Sequence, residues 1–276
     1  MSKYPDISHH HPINDWAAAK ANCPFLISKA TEGTTFVDST LTSFIKGCEN
    51  NKIPYWLYTF LRNGNEKAQA EFMVKTCKDK VGKYFVGYIL DVERDNAAAN
   101  VKAAMDYVNG LGYKTMVYTG YADYSKYAAI LKNRPAHCAW WEARYGKNNG
   151  IFNAAYPCHT GVDLHQYTSN GTCPGVNGRC DLNRILGKGE AWYKTPLKTV
   201  QKVETAKAEV TVLEEGCKGE AVKALQILLN GLGFNCGSVD GSFGPKVLAA
   251  VKNFQKKDGL TQDGIVGANT WKALLS

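Results

Sequence analysis

Residues 85–119 read FVGYILDVERDNAAANVKAAMDYVNGLGYKTMVYT. Phe85–Asp91 is an apolar run rich in β-branched and aromatic side chains, which predicts a strand. Asn96–Gly110 carries Val101, Ala104, Met105 and Val108, whose spacing of 3, 1 and 3 puts one buried stripe on a helix. Thr115–Thr119 is again strand-like. A strand, a helix and a second strand in this order predict a parallel pair joined by a crossover helix.

The same alternation extends in both directions. Phe25–Lys29, Ile53–Leu61, Cys138–Ala143 and Gly161–Tyr167 are further candidate strands, and Asp15–Ala21, Ser39–Asn50, Glu66–Val81 and Tyr121–Asn133 are candidate helices. Such a chain implies an α/β fold, a largely parallel sheet with helices outside. If that sheet closes into a barrel, its chemistry gathers at the C-terminal ends of the strands.

Near residue 190 the composition changes. Residues 191–210, AWYKTPLKTVQKVETAKAEV, are rich in Lys, Thr, Ala and Val and predict a linker. Beyond it the pattern is helical. Gly219–Gly231 places Val222, Leu225, Leu228 and Leu229 on one face, Pro245–Gln255 opens on a proline and buries Val247, Leu248, Val251 and Phe254, and Ala268–Leu275 is a third, short helix. A weak repeat joins them: Asp240-Gly-Ser-Phe-Gly244 and Asp263-Gly-Ile-Val-Gly267 each precede a helix, with Asp-Gly at a turn that needs positive φ. The expected organisation is therefore a large α/β unit over 1–190, a linker over 191–210 and a small three-helix domain over 211–276.

Bulk properties narrow the function. The chain has 276 residues, 45% of them hydrophobic, and a net charge of +8. Residues 1–190 hold 22 basic and 17 acidic side chains and residues 191–276 hold 11 and 8, so the excess is spread along the chain. No basic block marks a nucleic-acid partner, and a polyanionic surface rich in phosphate or carboxylate suits the diffuse charge as well. No apolar run is long enough for a membrane span. Met1–Trp16 lacks the basic and apolar regions of a secretory leader. The expectation is a protein that works where it is made, leaves by a route not written in its sequence, or has lost a leader. Nine cysteines cannot all pair within one chain. Most read as reduced, buried residues, with Cys173–Cys180 and Cys217–Cys236 as the two pairs that could bridge. His9-His-His11 and Cys158-His159 have no metal-site spacing, and no metal is expected.

Tyr88-Ile-Leu-Asp-Val-Glu-Arg94 carries the chemistry. An apolar strand ends in two acids spaced by two, so Asp91 and Glu93 share a side while the strand persists. Adjacent carboxylates repel, and one of them keeps its proton to higher pH. Glycoside hydrolysis needs this division between a proton donor and a charged carboxylate. Asp6 and Asp181 fall where the first and last strands of a barrel would meet on closure. Aromatic residues at strand ends, among them Tyr58, Tyr118, Trp141 and Tyr145, could stack on sugar rings or fill the core.

Residues 1–190 resemble glycoside hydrolase family 25, the Chalaropsis-type lysozymes common among phage endolysins and bacterial autolysins. The resemblance runs in order through Pro5-Asp-Ile-Ser8, Lys29-Ala-Thr-Glu-Gly33, the Tyr58–Phe60 strand, Asp91-Val-Glu93, Val117-Tyr-Thr-Gly120, Trp141-Glu-Ala-Arg-Tyr145, Gln166-Tyr-Thr-Ser169 and Asp181-Leu-Asn183. It implies an irregular β/α (TIM-like) barrel and N-acetylmuramidase activity without a cofactor. By position it implies Glu93 as general acid, Asp91 as the carboxylate beside it, and Asp6 and Asp181 as the acids that complete the floor. Tyr58, Tyr118, Trp141 and Tyr145 fall near the sugar. Pro54-Tyr-Trp-Leu57 departs from the glycine-rich pattern of the family before Tyr58. Residues 211–276 resemble the peptidoglycan-binding type 1 domain, through Leu213–Gly219, Val222–Gln226, Asp240–Pro245, Ala250–Gln255, Asp263–Gly267 and Trp271. The implied partner is bacterial cell-wall peptidoglycan. Against a phage endolysin stand a bacterial autolysin of the same activity, a wall-binding protein without turnover, and another glycosidase on the same barrel. The chitinase arrangement of several aspartates before the Glu is absent.

Overall fold

The computed structural model describes residues 2–197 and 212–274. The chain divides into two compact units, Met1–Val200 and Gln201–Ser276.

In chain order the first unit contains β1 (Pro5–Ile7), α1 (Trp16–Asn22), β2 (Leu26–Glu32), β3 (Phe36–Val37), α2 (Leu41–Asn51), β4 (Tyr55–Phe60), α3 (Glu66–Cys77), β5 (Phe85–Val92), α4 (Ala98–Gly110), β6 (Lys114–Gly120), α5 (Tyr124–Lys132), β7 (Cys138–Ala143), β8 (Leu164–Gly171), β9 (Cys180–Ile185) and α6 (Gly189–Lys194). Among the described residues the strands form one sheet in the order β1-β9-β8-β7-β6-β5-β4-β2-β3, and pairing of β1 with β2 closes all but the two-residue β3 into a barrel. The neighbours from β1 through β2 and β4 to β8 are parallel; β9 runs antiparallel to both β8 and β1. The expected barrel is present, and it departs from a full β/α repeat at β7–β8 and β8–β9, which no helix joins, and in the antiparallel β9.

Strand alternation sorts the core into two. Tyr55 and Leu57 on β4, Tyr88 and Leu90 on β5, Val117 on β6 and Trp140 on β7 face outward and pack under the helices. Trp56, Ile89, Met116, Ala139 and Trp141 face the barrel interior. The helices supply the outer layer with the expected stripes: Val101, Ala104, Met105 and Val108 are all buried on α4.

The interior is stoppered at the end opposite the strands' C-termini. Tyr193 of α6 is fully buried and stacks on Phe25 at 5.3 Å, and its carbonyl accepts from Trp56 Nε1 at 2.9 Å. Trp192 stacks on Trp56 at 5.4 Å, and Lys114 Nζ donates to the carbonyls of Trp192 (2.7 Å) and Thr195 (2.6 Å). Residues 191–195 thus belong to the barrel, which corrects the expected linker start at 191. Its remainder from 198 lies outside the described residues.

All nine cysteines are free thiols. Cys173 faces Cys23, Sγ to Sγ 3.3 Å, rather than Cys180, and Cys236 donates to the Gln226 carbonyl, so neither of the two sequence-based pairs forms.

The second unit contains α7 (Glu220–Gly231), α8 (Pro245–Lys257) and α9 (Ala268–Leu274). Val222, Leu225, Leu229, Val247, Val251, Phe254 and Val266 form its core. The repeat seen in sequence is a repeated clasp. Gln226 Nε2 donates to Asp240 Oδ1 (2.9 Å) while its Oε1 accepts from Gly241 N (2.8 Å); Gln255 does the same with Asp263 (2.8 Å) and Gly264 (3.0 Å). Gly241 and Gly264 sit at φ +74° and +77°, the left-handed region that excludes most side chains.

Candidate active site

Alternation and register together assemble the site. Tyr58, Asp91, Tyr118 and Trp141 have the inward parity on β4, β5, β6 and β7, near the C-terminal end of each strand. Asp91 is the register partner of Tyr118, and Tyr118 of Trp141. The two rings meet edge to face at 4.5 Å. Because β9 is antiparallel, its first residues lie at the same end, and Asp181 pairs directly with Asp6 on β1. β5 stops at Val92, so Glu93 is the first residue past the strand, exposed at the rim.

A cavity of about 260 Å³ is lined by Asp6, Tyr58, Asp91, Glu93, Tyr118, Trp141, Tyr145, Gln166 and Asp181. All eight residues singled out from the sequence line it. The ninth, Gln166, was missed as a site residue although its segment was recognised. Its amide Nε2 donates to both oxygens of Asp6 (3.1 and 3.1 Å), and its Oε1 accepts from the Tyr118 hydroxyl at 2.8 Å and from the Tyr145 hydroxyl. Asn183, two residues after Asp181 on the same inward face, donates to Asp6 Oδ2 at 2.6 Å and accepts from Trp141 Nε1 at 2.7 Å. These two amides fix Asp6 against the aromatic wall. The signal in the sequence was period 2 alone: Gln166 follows the inward Leu164 by two residues, and Asn183 follows Asp181 by two. None of His9, His10 and His11 lines the cavity; His9 instead bonds Asp38 at 2.8 Å.

Burial and mutual repulsion raise the acids. Asp91 is pushed well above the carboxylate range, by desolvation first and then by the charge of Glu93 and a hydrogen bond to it. Asp181 rises to about 9, through burial, the charge of Asp6 and the hydrogen bond it donates to Asp6. Asp6 rises to about 6: burial outweighs the bonds from Asn183, Gln166 and Asp181. At neutral pH the floor therefore holds Asp181 protonated and Asp6 ionised, and Asp91 is biased toward its neutral form. Burial also keeps Tyr58 and Tyr118 as neutral phenols beside these acids. The arrangement can donate protons and supply negative charge within one small cleft, the requirement of acid-assisted cleavage at a sugar carbon. Among the described residues no group of three or more His, Cys, Asp or Glu is arranged to hold a metal ion.

Comparison with known proteins gives the family. The model of the glycosyl hydrolases family 25 matches residues 5–176, and that of a peptidoglycan binding domain matches residues 218–274. The chain is 31% identical over 254 residues to the autolytic lysozyme of Clostridium acetobutylicum, covering 88% of this chain and 68% of that protein. It is 36% identical over 117 residues to an N-acetylmuramoyl-L-alanine amidase of Bacillus licheniformis, covering 40% of this chain but only 32% of the amidase. The catalytic domain of an endolysin from a bacteriophage of Listeria monocytogenes superposes with a TM-score of 0.62 over 70% of this chain and 97% of that domain, at 24% identity, a likeness of fold alone. The chain belongs to the glycosyl hydrolases family 25 and is a glycoside hydrolase of the lysozyme type.

Proposed function

We propose that the chain is an N-acetylmuramidase that cuts the β-1,4 bond from N-acetylmuramic acid to N-acetylglucosamine in peptidoglycan. One observation carries this reading: two carboxyl pairs, Asp91–Glu93 and Asp6–Asp181, share one cleft with a wall of aromatic residues. In the proposed mechanism Glu93, the member at the rim, hands a proton to the glycosidic oxygen. Asp91, buried behind it, hydrogen-bonds Glu93 and stabilises the carboxylate left when that proton departs; water then adds to the sugar carbon and returns a proton to Glu93. Asp6, ionised and fixed by Gln166 and Asn183, stabilises the positive charge that develops on the sugar, and Asp181 bonds Asp6 and substrate. Tyr58 and Tyr145, the more exposed of the four aromatics, meet the sugar rings, and Tyr118 and Trp141, buried beneath them, shape the wall and hold Gln166 and Asn183 in place.

In this reading residues 1–197 are the catalytic part, residues 212–276 hold the wall, and the segment between tethers them. The role is lysis by a phage endolysin, made in the host cytoplasm and acting on the wall after release. The likeness to a clostridial autolytic lysozyme supports the alternative of a bacterial autolysin with the same chemistry.

The deciding experiment is mass spectrometry of purified wall after digestion. New reducing ends should be N-acetylmuramic acid. Glu93→Gln should lower their release at least 10³-fold while the circular dichroism spectrum stays that of the parent. A chain that sediments with walls and frees no sugar ends is a binder, and N-acetylglucosamine at the new ends makes it a different glycosidase.

A further inference from the structure

The inward parity that builds the acidic cavity also builds a positively charged rim beside it. On β2, Ile27 faces the barrel interior and Lys29 follows two residues later, in register with Tyr58. On β4, Phe60 is the next inward position after Tyr58 and the register partner of Asp91. Three cations surround the Phe60 ring: Lys29 Nζ at 5.3 Å, the Arg62 guanidinium at 5.2 Å and the Arg94 guanidinium at 5.6 Å from its centre. Lys29 also lies 5.4 Å from the ring of Phe36, which is 42% exposed on β3. Among the described residues Glu32 is the acid that ion-pairs with them, with Lys29 at 2.5 Å and with Arg62, and Lys29 also acts on Asp91 of the floor. Arg94, next in sequence to Glu93, has no acidic partner among the described residues and is exposed. Three cations against one carboxylate leave a net positive ledge directly next to the acidic floor.

Such a ledge suits an anion and an apolar stem together. A guanidinium lying over an aromatic face keeps its N–H edge free for a carboxylate. The glycan that the cavity would take carries short peptide branches with free carboxylates, and the acidic floor itself repels them. We infer that the ledge of Lys29, Arg62 and Arg94 around Phe60 binds a carboxylate of the peptide branch next to the cleaved bond, so that the enzyme prefers acidic branches to amidated ones. The inference rests on the muramidase reading and names the part of its substrate that sets selectivity.

The test uses the full chain and two sets of soluble glycan strands, identical except that the carboxylate at the second residue of the peptide branch is free or amidated. With the parent, kcat/KM should be about five- to tenfold higher on the free acid, with the difference in KM, consistent with one partly exposed charge-assisted contact. Raising the salt tenfold should shrink that ratio. In Arg62→Gln/Arg94→Gln the ratio should fall below about twofold, and in the single variant Arg94→Gln, which removes no ion pair, it should fall part of the way. An equal rate on both substrates for the parent, or an undiminished ratio in the double variant, overturns the inference. A loss confined to kcat in the variants would also overturn it, by showing a structural role. Release of no sugar ends from either substrate would instead sink the muramidase reading.

Discussion

Asp181 is held neutral in the fold, where an ordinary aspartate would be charged. Its pKa rises from 3.8 to about 9, so over that interval the folded chain binds a proton that the unfolded chain has lost. Folding stability from this group is complete below about pH 4 and declines as pH climbs toward 9, since stability falls with pH wherever the native state binds more protons. Asp181→Asn keeps a donor facing Asp6 and removes the titration. It should raise stability at pH 8 by about 1–3 kcal/mol, several degrees in melting temperature, and change little at pH 4. Activity should fall at least tenfold. Thermal unfolding at the two pH values checks this, and equal shifts at both would show that the acid titrates as an ordinary surface group. Asp6 gives a companion expectation for turnover. With its pKa near 6, the acid limb of the kcat/KM profile should have its midpoint there, and Asp6→Asn should flatten that limb as well as lower the rate. A limb that persists unmoved in the variant would assign it to another group.

Among the elements, what could be read from the sequence was whatever repeats. Cys138–Ala143 was bounded as β7 stands, Phe85–Asp91 differs from β5 by one residue, and the α4 stripe of Val101, Ala104, Met105 and Val108 is the buried face. The site residues could be found because period 2 and strand ends select them: the same parity separates Trp141, in the cavity, from Trp140, in the outer core. Elements that answer a need elsewhere in the fold escaped. The six residues of α6 lie in a Lys- and Thr-rich stretch, and nothing local says that a barrel mouth is waiting for Trp192 and Tyr193. Gln166 escaped for the same reason, since its value lies in bridging Asp6 to two tyrosines that are distant in sequence. The floor of the barrel should be structural in effect. Tyr193→Ala removes a fully buried ring and the hydroxyl that donates to the Asp163 carbonyl at 2.9 Å. It should cost about 3–5 kcal/mol in urea unfolding. A loss below about 1 kcal/mol would mean that α6 only rests on the barrel.

At the level of the whole molecule, two units serve one insoluble substrate. The second has its own core and a repeated Gln–Asp–Gly clasp, which locks two turns by the same hydrogen bonds without calling on the barrel. The first closes its own barrel with α6, within residues 2–197. Covalent continuity then lets a weak wall contact raise the local concentration of glycan at the cleft, with no change in the chemistry there. Removing residues 198–276 should leave turnover on soluble glycan fragments within about twofold of the parent, because the cavity keeps every lining residue. On intact wall at low concentration the rate should fall about 10- to 100-fold, and the gap should narrow as wall is added. Reducing-end release from both substrates measures the two effects together. An equal drop on soluble and insoluble substrate would mean that the second unit takes part in cleavage itself, and no drop on either would mean that the barrel finds the wall unaided.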